Sequence, residues 1–308
     1  MSATLRPAEW HALRAKNVGA SEIAALFGVQ ADYALSHYAL WHVKAGRAPP
    51  PIVDNQRAKW GLRLERAIAD AAADENDWKI APAGYRTDPT TPVLGCTPDF
   101  LIATDPKEEG PGLLEIKNAD WLIHKRAWTD DEPPLHILLQ LQHQLAATGL
   151  AWGVVACLVG GNDLRLYRYK ARPKLIADIR AKVRAFWASI AEDRPPPVDG
   201  SDSVSAVLRA LYLETVDEVA DLTDDNELPE ICADYLDAGA RRRVAEKDEA
   251  AAKNRLIEKL GIYRAAHTEG FRIRVAVTAE KAAAPAPPGY IIPGRKESRR
   301  YTVKEWTE

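Results

Sequence analysis

Cysteine is scarce and scattered in this chain. Cys96, Cys157 and Cys232 are the 3 cysteines among 308 residues. An odd number with no CxxC pair excludes a disulfide framework and a cysteine-built metal site, and it fits a reducing compartment. The three read as core residues. Long apolar runs are missing too: nothing approaches the roughly 18 residues of a membrane-crossing helix. The opening MSATLRPAEW contains no apolar signal region, so the expectation is a cytoplasmic protein without a membrane partner. No internal repeat is visible. A basic excess is absent as well, the formal net charge being −3.

The average charge conceals a segregation. Residues 1–66 hold 9 Lys and Arg against 5 Asp and Glu, residues 201–261 hold 8 against 15, and residues 262–308 hold 9 against 5. Polyanion binding requires a local positive surface, not a basic mean, and either basic end can supply one. Hydrophobic residues make up 46% of the chain, ample for a packed core. The length suits one large domain or two modest ones.

Periodicity organises the chain. NVGASEIAALFG reads as a short helix with Ser21 at its cap and Gly28 at its end. NQRAKWGLRLERAIADAAADE reads as a longer helix with the stripe Trp60, Leu64, Ile68. VLGCTPDFLIAT and GLLEIKN read as short strands joined by the polar DPKEEGPG. HKRAW is a short helical candidate. LHILLQLQHQLAATG is a strong helix bounded by Pro133, Pro134 and Gly149. AWGVVACLV and LRLYRYKA, separated by GGND, read as a hairpin, and KLIADIRAKVRAFWASIA as an amphipathic helix. This order predicts a mixed α/β (α+β) domain over residues 1–200, with a small mixed central sheet flanked by helices. RPPPVDGSDS marks the boundary. Residues 201–308 then form a mainly helical extension: a charged helix, a short strand FRIRVAV with Phe271, Ile273, Val275 and Val277 on one face, the connector AAAPAPPG, and a basic tail with Arg295–Arg300.

One constellation carries chemistry. Asp99 follows Pro98 just after an apolar turn, and Glu115 and Lys117 flank Ile116 in a second apolar run 16 positions later. On a strand, Glu115 and Lys117 project to one face, and a hairpin loop can bring Asp99 beside them. Buried carboxylates that converge repel each other unless a cation sits between them. Two carboxylates and a backbone carbonyl are hard oxygen ligands that suit Mg2+ or Mn2+. Such an ion neutralises phosphate charge and acidifies a bound water, and Lys117 can stabilise the transition state. The ordinary alternatives are a turn aspartate and an exposed Glu115–Lys117 ion pair worth under roughly 1 kcal/mol.

TPDF followed by LLEIKN resembles the PD-(D/E)XK nuclease motif, with Pro98-Asp99 as the PD and Glu115-Ile116-Lys117 as the (D/E)XK. WGLRLE with Glu65, LLQLQHQL with Gln140 and Gln144 on one helix face, and GASEIAALFGV preceded by Arg14 are similar to the YqaJ-like viral recombinases, which include lambda exonuclease. The similarity spans roughly residues 10–190, and no motif can be named in 201–308. It implies a restriction-endonuclease-like core and a metal-dependent exonuclease that digests linear double-stranded DNA from the 5′ end. The 3′ single strand it leaves is used in phage-type recombination with a single-strand annealing protein. A homo-oligomer of the trimeric-ring kind and a phage or prophage protein in a bacterial host are implied with it.

Carried over residue by residue, Asp99, Glu115 and the Ile116 carbonyl are metal ligands for Mg2+ or Mn2+, with two ions expected, and Lys117 is the catalytic lysine. Glu65 serves a second ion or its waters. Gln140 fixes the nucleophile or scissile phosphate, and Arg14, Ser21 and Gln144 touch DNA or its 5′ phosphate. A helix start at Ser21 is apt for an anion. Asp88 in YRTDP is the weakest match, its offset from the PD differing by one residue. His136 and His143 read as surface or supporting residues, and Trp121 and Trp128 as core, with base stacking the alternative. Two other functions fit the same core: an endonuclease, or a non-catalytic DNA-binding or assembly module. A cluster-bearing Cas4-like enzyme needs four cysteines, which this chain lacks.

Overall fold

A computed structural model describes residues 8–51, 55–128, 132–212, 217–280, 284–285, 291–292 and 298–305. It divides into two compact units, one up to Val216 and one from Asp217.

The first unit begins with four helices, α1 (Ala8–Ala15), α2 (Ile23–Leu26), α3 (His37–Lys44) and α4 (Gln56–Asp74). Strands β1 (Ile80–Pro82), β2 (Arg86–Thr87), β3 (Gly95–Cys96), β4 (Phe100–Ile102) and β5 (Gly112–Ala119) follow, then α5 (Trp121–Ala127) and α6 (Leu135–Thr148). The hairpin β6 (Trp152–Val159) and β7 (Asp163–Lys170) leads into α7 (Pro173–Ala191) and α8 (Asp202–Leu211). The central sheet has five strands in the order β1-β4-β5-β6-β7. Its β5–β6 pair is parallel and its other pairs are antiparallel. The expectation of a mixed α/β domain with a small mixed sheet is met.

Local chemistry explains the elements. Asn55 caps α4 by accepting the Ala58 N–H at 2.9 Å. Gly149 at φ 70° closes α6. Gly160 and Gly161, both at positive φ, turn the β6–β7 hairpin. The crossover from β5 to the parallel β6 runs through α5 and α6, which places α6 on one face of the sheet.

Both faces of β5 and β6 are covered. Leu113, Val155 and Cys157 pack with α2, α6 and α7 on one side. Leu114, Ile116, Val154 and Ala156 pack with Ile68, Ala69 and Ala72 of α4 on the other. Continuous apolar strands of this kind are what a doubly covered parallel pair requires. The odd-numbered positions of β5 therefore face α6, and Glu115 and Lys117 are among them. The expected stripe on α4 is buried only at its end: Ile68 is packed while Trp60 lies exposed.

Three expectations need correction. VLGCTPDFLIAT is not one strand. β3 pairs with β2, whereas β4 joins the central sheet, and Thr97–Asp99 form the break between them. Ser21 is not a cap: α2 has only four residues, its N-cap position is Glu22, and Ser21 is exposed. The first unit continues past residue 200, because Val204 and Val207 of α8 are buried against Tyr38, Ala39 and Ala48.

The second unit contains α9 (Leu228–Leu260), β8 (Ala265–Thr268), β9 (Phe271–Thr278), β10 (Ala284–Pro285), β11 (Ile291–Ile292) and β12 (Ser298–Glu305). The expected single strand FRIRVAV is the centre of a three-stranded antiparallel sheet, β12-β9-β8. Part of AAAPAPPG pairs as β10 with β11. Within the basic tail, residues 295–297 lie outside the described residues and 298–300 open β12.

Candidate active site: a carboxylate cluster on strand β5

Glu115 is the centre of the site. It is 3% exposed, yet both its oxygens are answered. Oε1 accepts from Lys117 Nζ at 2.6 Å and from Gln140 Nε2 at 2.5 Å. Oε2 accepts from Gln144 Nε2 at 2.6 Å. Gln140 Oε1 in turn accepts from Lys117 Nζ at 3.1 Å. A buried carboxylate is tolerable only with donors of this kind. They come from two elements: Lys117 lies two residues along β5, and Gln140 and Gln144 are one helical turn apart on α6.

Asp99 reaches the cluster from the break before β4. Its Oδ2 accepts the Ile116 N–H at 2.8 Å. β4 pairs with β5 as far as Phe100↔Leu114, so Asp99 takes over where the ladder stops. The N–H and C=O of a strand residue point to the same edge. The Ile116 carbonyl therefore emerges on the edge that Asp99 occupies. Burial, with the negative charges of Glu115 and Glu65, holds the Asp99 carboxyl well above the usual carboxylate range. Glu65 on α4 is thus within electrostatic reach of Asp99. Burial lowers the Lys117 pKa, but Glu115 and Asp99 outweigh it and leave the ammonium above its ordinary value.

The donor set fits a hard divalent cation. Two carboxylates, one of them destabilised by its anionic neighbours, and a free-edge carbonyl are oxygen ligands, and Mg2+ usually keeps several waters in its remaining positions. Among the described residues no three His, Cys, Asp or Glu side chains group as a cage.

Other candidates stand elsewhere. Gln144 is 1% exposed and donates to Glu115, so it braces the carboxylate and is not available to DNA. Asp88 is fully buried; its Oδ1 accepts from Thr90 and Thr91, and its Oδ2 accepts from Arg180 Nε at 2.7 Å. That carboxylate ties the loop before β3 to α7. Arg14 is a third exposed, lies over Trp10 at 4.8 Å, and pairs with Glu22 at 3.2 Å. Glu22 also pairs with Lys44 at 2.8 Å and accepts the Gly19 N–H at 2.7 Å. A carboxylate therefore stands at the start of α2, which is not the open anion site that Ser21 suggested. Burial pushes the Glu22 pKa up, but Lys44 and Arg14 bring it below its ordinary value.

Two groups were not legible as part of this architecture. Glu22 sits in an exposed-looking SE pair. His143 is fully buried, its Nε2 is 3.1 Å from the Gly95 carbonyl, and burial lowers its pKa to about 4. It pins α6 to β3, next to Gln144. A polar QHQ triplet in an apolar helix was the available signal, since a helix packed on two sides has no polar face to present.

Comparison with known proteins follows the same stretch of chain. Residues 9–151 match the YqaJ-like viral recombinase domain. The chain is 25% identical over 223 residues to the uncharacterized protein YqaJ of Bacillus subtilis (strain 168), which covers 71% of this chain and 67% of that protein. The fold is similar to the crystal structure of an alkaline exonuclease, LHK-Exo, from Laribacter hongkongensis. The TM-score is 0.52 and the identity 24%, over 61% of this chain and 94% of the other. The same values hold for LHK-Exo in complex with dAMP.

Proposed function

Because residues 9–151 carry a YqaJ-like viral recombinase domain, we propose that the Glu115 cluster hydrolyses DNA phosphodiesters from the ends of linear duplexes, as a metal-dependent exonuclease. The observation that carries this is Glu115 held by Lys117, Gln140 and Gln144 beside an Asp99 that is costly to ionise. Structural ion pairs do not need a second acid within electrostatic reach of the first. The fold shared with a protein described as an alkaline exonuclease supports the same reading.

Asp99, Glu115 and the Ile116 carbonyl would hold Mg2+ or Mn2+, with Glu65 serving a second ion or its waters. When bound, the metal supplies charge neutralisation at the phosphate and a more acidic water. The rest is done by the chain. Lys117, its pKa raised by Glu115 and Asp99, is the cation placed to stabilise phosphate charge. Gln140 contacts both Lys117 and Glu115 and so sets the direction of the ammonium. Gln144 fixes the rotamer of Glu115 from below. Arg14 is the cation available for a 5′-terminal phosphate, with Ser21 exposed nearby. Digestion from the 5′ end, a homo-oligomeric ring and an annealing partner follow from the resemblance to lambda exonuclease, as does a place in a bacterial host's cytoplasm. Among the described residues no helix is long and apolar enough to cross a membrane.

The test is digestion of linear duplex DNA with a 5′ phosphate and a label at each end, in Mg2+ and in EDTA, beside closed circles and the Lys117→Ala variant. Release from the 5′ ends, with circles intact and both controls inactive, is the expected result. Cleavage of circles would make the protein an endonuclease on the same core. Binding without cleavage of any substrate would make it a non-catalytic module.

A further inference from the structure

Helix α5 inverts the usual pattern of burial. Its buried residue is polar: His124 stacks on Trp128 at 5.0 Å and meets the Tyr167 hydroxyl at 3.1 Å. The three apolar residues before it, Trp121, Leu122 and Ile123, are 55%, 54% and 40% exposed. Trp128 packs into the core as the sequence suggested, and Trp121 does not. Isolated exposed apolar residues need no explanation, but Trp121 shares a helix face with the exposed Lys125 four residues on, which joins an aromatic ring to a cation.

The surface is fixed in place. The Asp120 side chain accepts the Leu122 N–H at 2.9 Å and so sets the start of α5. Gly160, at the end of the neighbouring β6, donates its N–H to the Ala119 carbonyl at 2.9 Å. A Cβ at Gly160 would stand 3.5 Å from that of Trp121, so the root of this side chain lies beside the end of β6. Trp121 is four residues beyond Lys117 on the same continuous segment. The Lys125 ammonium lies over its ring, 5.1 Å from the centroid, and Arg126 is exposed next to it.

A rigid aromatic face with adjoining cations is the combination that takes an unpaired nucleotide: the base stacks on the indole and the phosphate meets the ammonium. An apolar protein ligand would use Leu122 and Ile123 but has no need of Lys125 and Arg126. We propose that Trp121 and Lys125 form a stacking subsite for an unpaired nucleotide of the DNA strand being processed, on the segment that continues from Lys117. The inference rests on the nuclease reading.

The test uses duplex DNA with a short single-stranded end whose unpaired base is 2-aminopurine, bound in EDTA so that the DNA stays intact. Binding of the wild-type protein is expected to quench the fluorophore. Trp121→Ala should abolish the quenching and weaken tailed DNA about 5- to 100-fold, in line with one lost base–aromatic stack. Blunt duplex should be held as before, and Trp121→Phe should retain both signals. Lys125→Ala should shallow the salt dependence of tail binding by about one phosphate contact. If Trp121→Ala quenches and binds like wild type while the wild-type protein digests DNA in Mg2+, the subsite is overturned and the nuclease reading stands. If wild-type protein neither binds nor cleaves any DNA, both fall. A change in sedimentation mass on Trp121→Ala, with DNA affinity unaltered, would assign the face to protein association and overturn the proposal.

Discussion

Asp99 accepts the backbone N–H of Ile116 at 2.8 Å, which joins the PD pair to the strand that carries the EIK triplet. Burial, Glu115 and Glu65 raise the Asp99 pKa. In the absence of metal the folded protein thus binds a proton there that the unfolded chain releases. Its stability is complete below the usual carboxylate range and declines as pH rises through the raised value. Asp99→Asn keeps an oxygen for the Ile116 N–H and removes the charge. In chelator the variant should melt at or above the wild-type temperature at neutral pH, with a shallower decline as pH rises. Stabilisation by Mg2+ should vanish and cleavage fall about 100-fold or more. Retained Mg2+ stabilisation would take Asp99 out of the metal set.

The two glutamines of α6 should separate in their effects. Gln144→Leu leaves Glu115 Oε2 buried without its donor and should cost about 1–3 kcal/mol in urea denaturation. Gln140 is less buried, and Glu115 Oε1 keeps Lys117 when it is removed. Gln140→Leu should therefore cost less stability while reducing cleavage at least as strongly. Equal stability losses would contradict the division between a bracing and a directing amide.

His143 predicts a pH dependence of the opposite sign to Asp99. Its pKa is lowered to about 4 by burial, so at mildly acidic pH the unfolded chain binds a proton that the folded protein does not. The stabilisation is full above the ordinary histidine value and is lost as pH falls towards about 4. The loss can reach about 3 kcal/mol by the usual conversion of pKa shift to free energy. Melting curves between these limits should show it, and His143→Gln should flatten them. An unchanged slope in the variant would mean that His143 is not the group responsible.

Glu22 is the partner of a Lys44 whose side chain is only 4% exposed. Glu22→Gln leaves that ammonium buried with the Arg14 carbonyl as its remaining acceptor. The expected cost is about 3 kcal/mol, the range for a broken buried pair. Lys44→Met added to it should recover part of the loss, because the unpaired charge goes with it. Additive losses in the double variant would show that the pair is not coupled.

Much of the site was legible because its parts are local. Alternation along GLLEIKN puts Glu115 and Lys117 on one face whatever they pack against. The turn of α6 puts Gln140 and Gln144 on another. What could not be read was the direction in which these faces look. Gln144 and His143 are as polar as Gln140, and only the position of α6 over β5 and β3 decides that they are inside. Ser21 and Glu22 differ by one residue, yet Glu22 alone meets Lys44 and Arg14, which lie 22 and 8 positions away. Asp88 stood one residue off the motif's spacing, and it is taken by Arg180 of α7. Trp121 and Trp128 are alike in the sequence, yet Trp128 is buried against His124 while Trp121 stays exposed under Lys125.

The sequence by itself determined the element order, the mixed α/β class and the residue types of the candidate site. These follow from hydrophobic period, turn residues and spacing, which act over a few residues. The tertiary structure decided which carboxylates share a site, which are tied down by arginine, and which aromatic faces are left open. Those outcomes depend on contacts between residues far apart in the chain. At such contacts burial raises the cost of every unpaired charge, and the partner that satisfies it comes from another element.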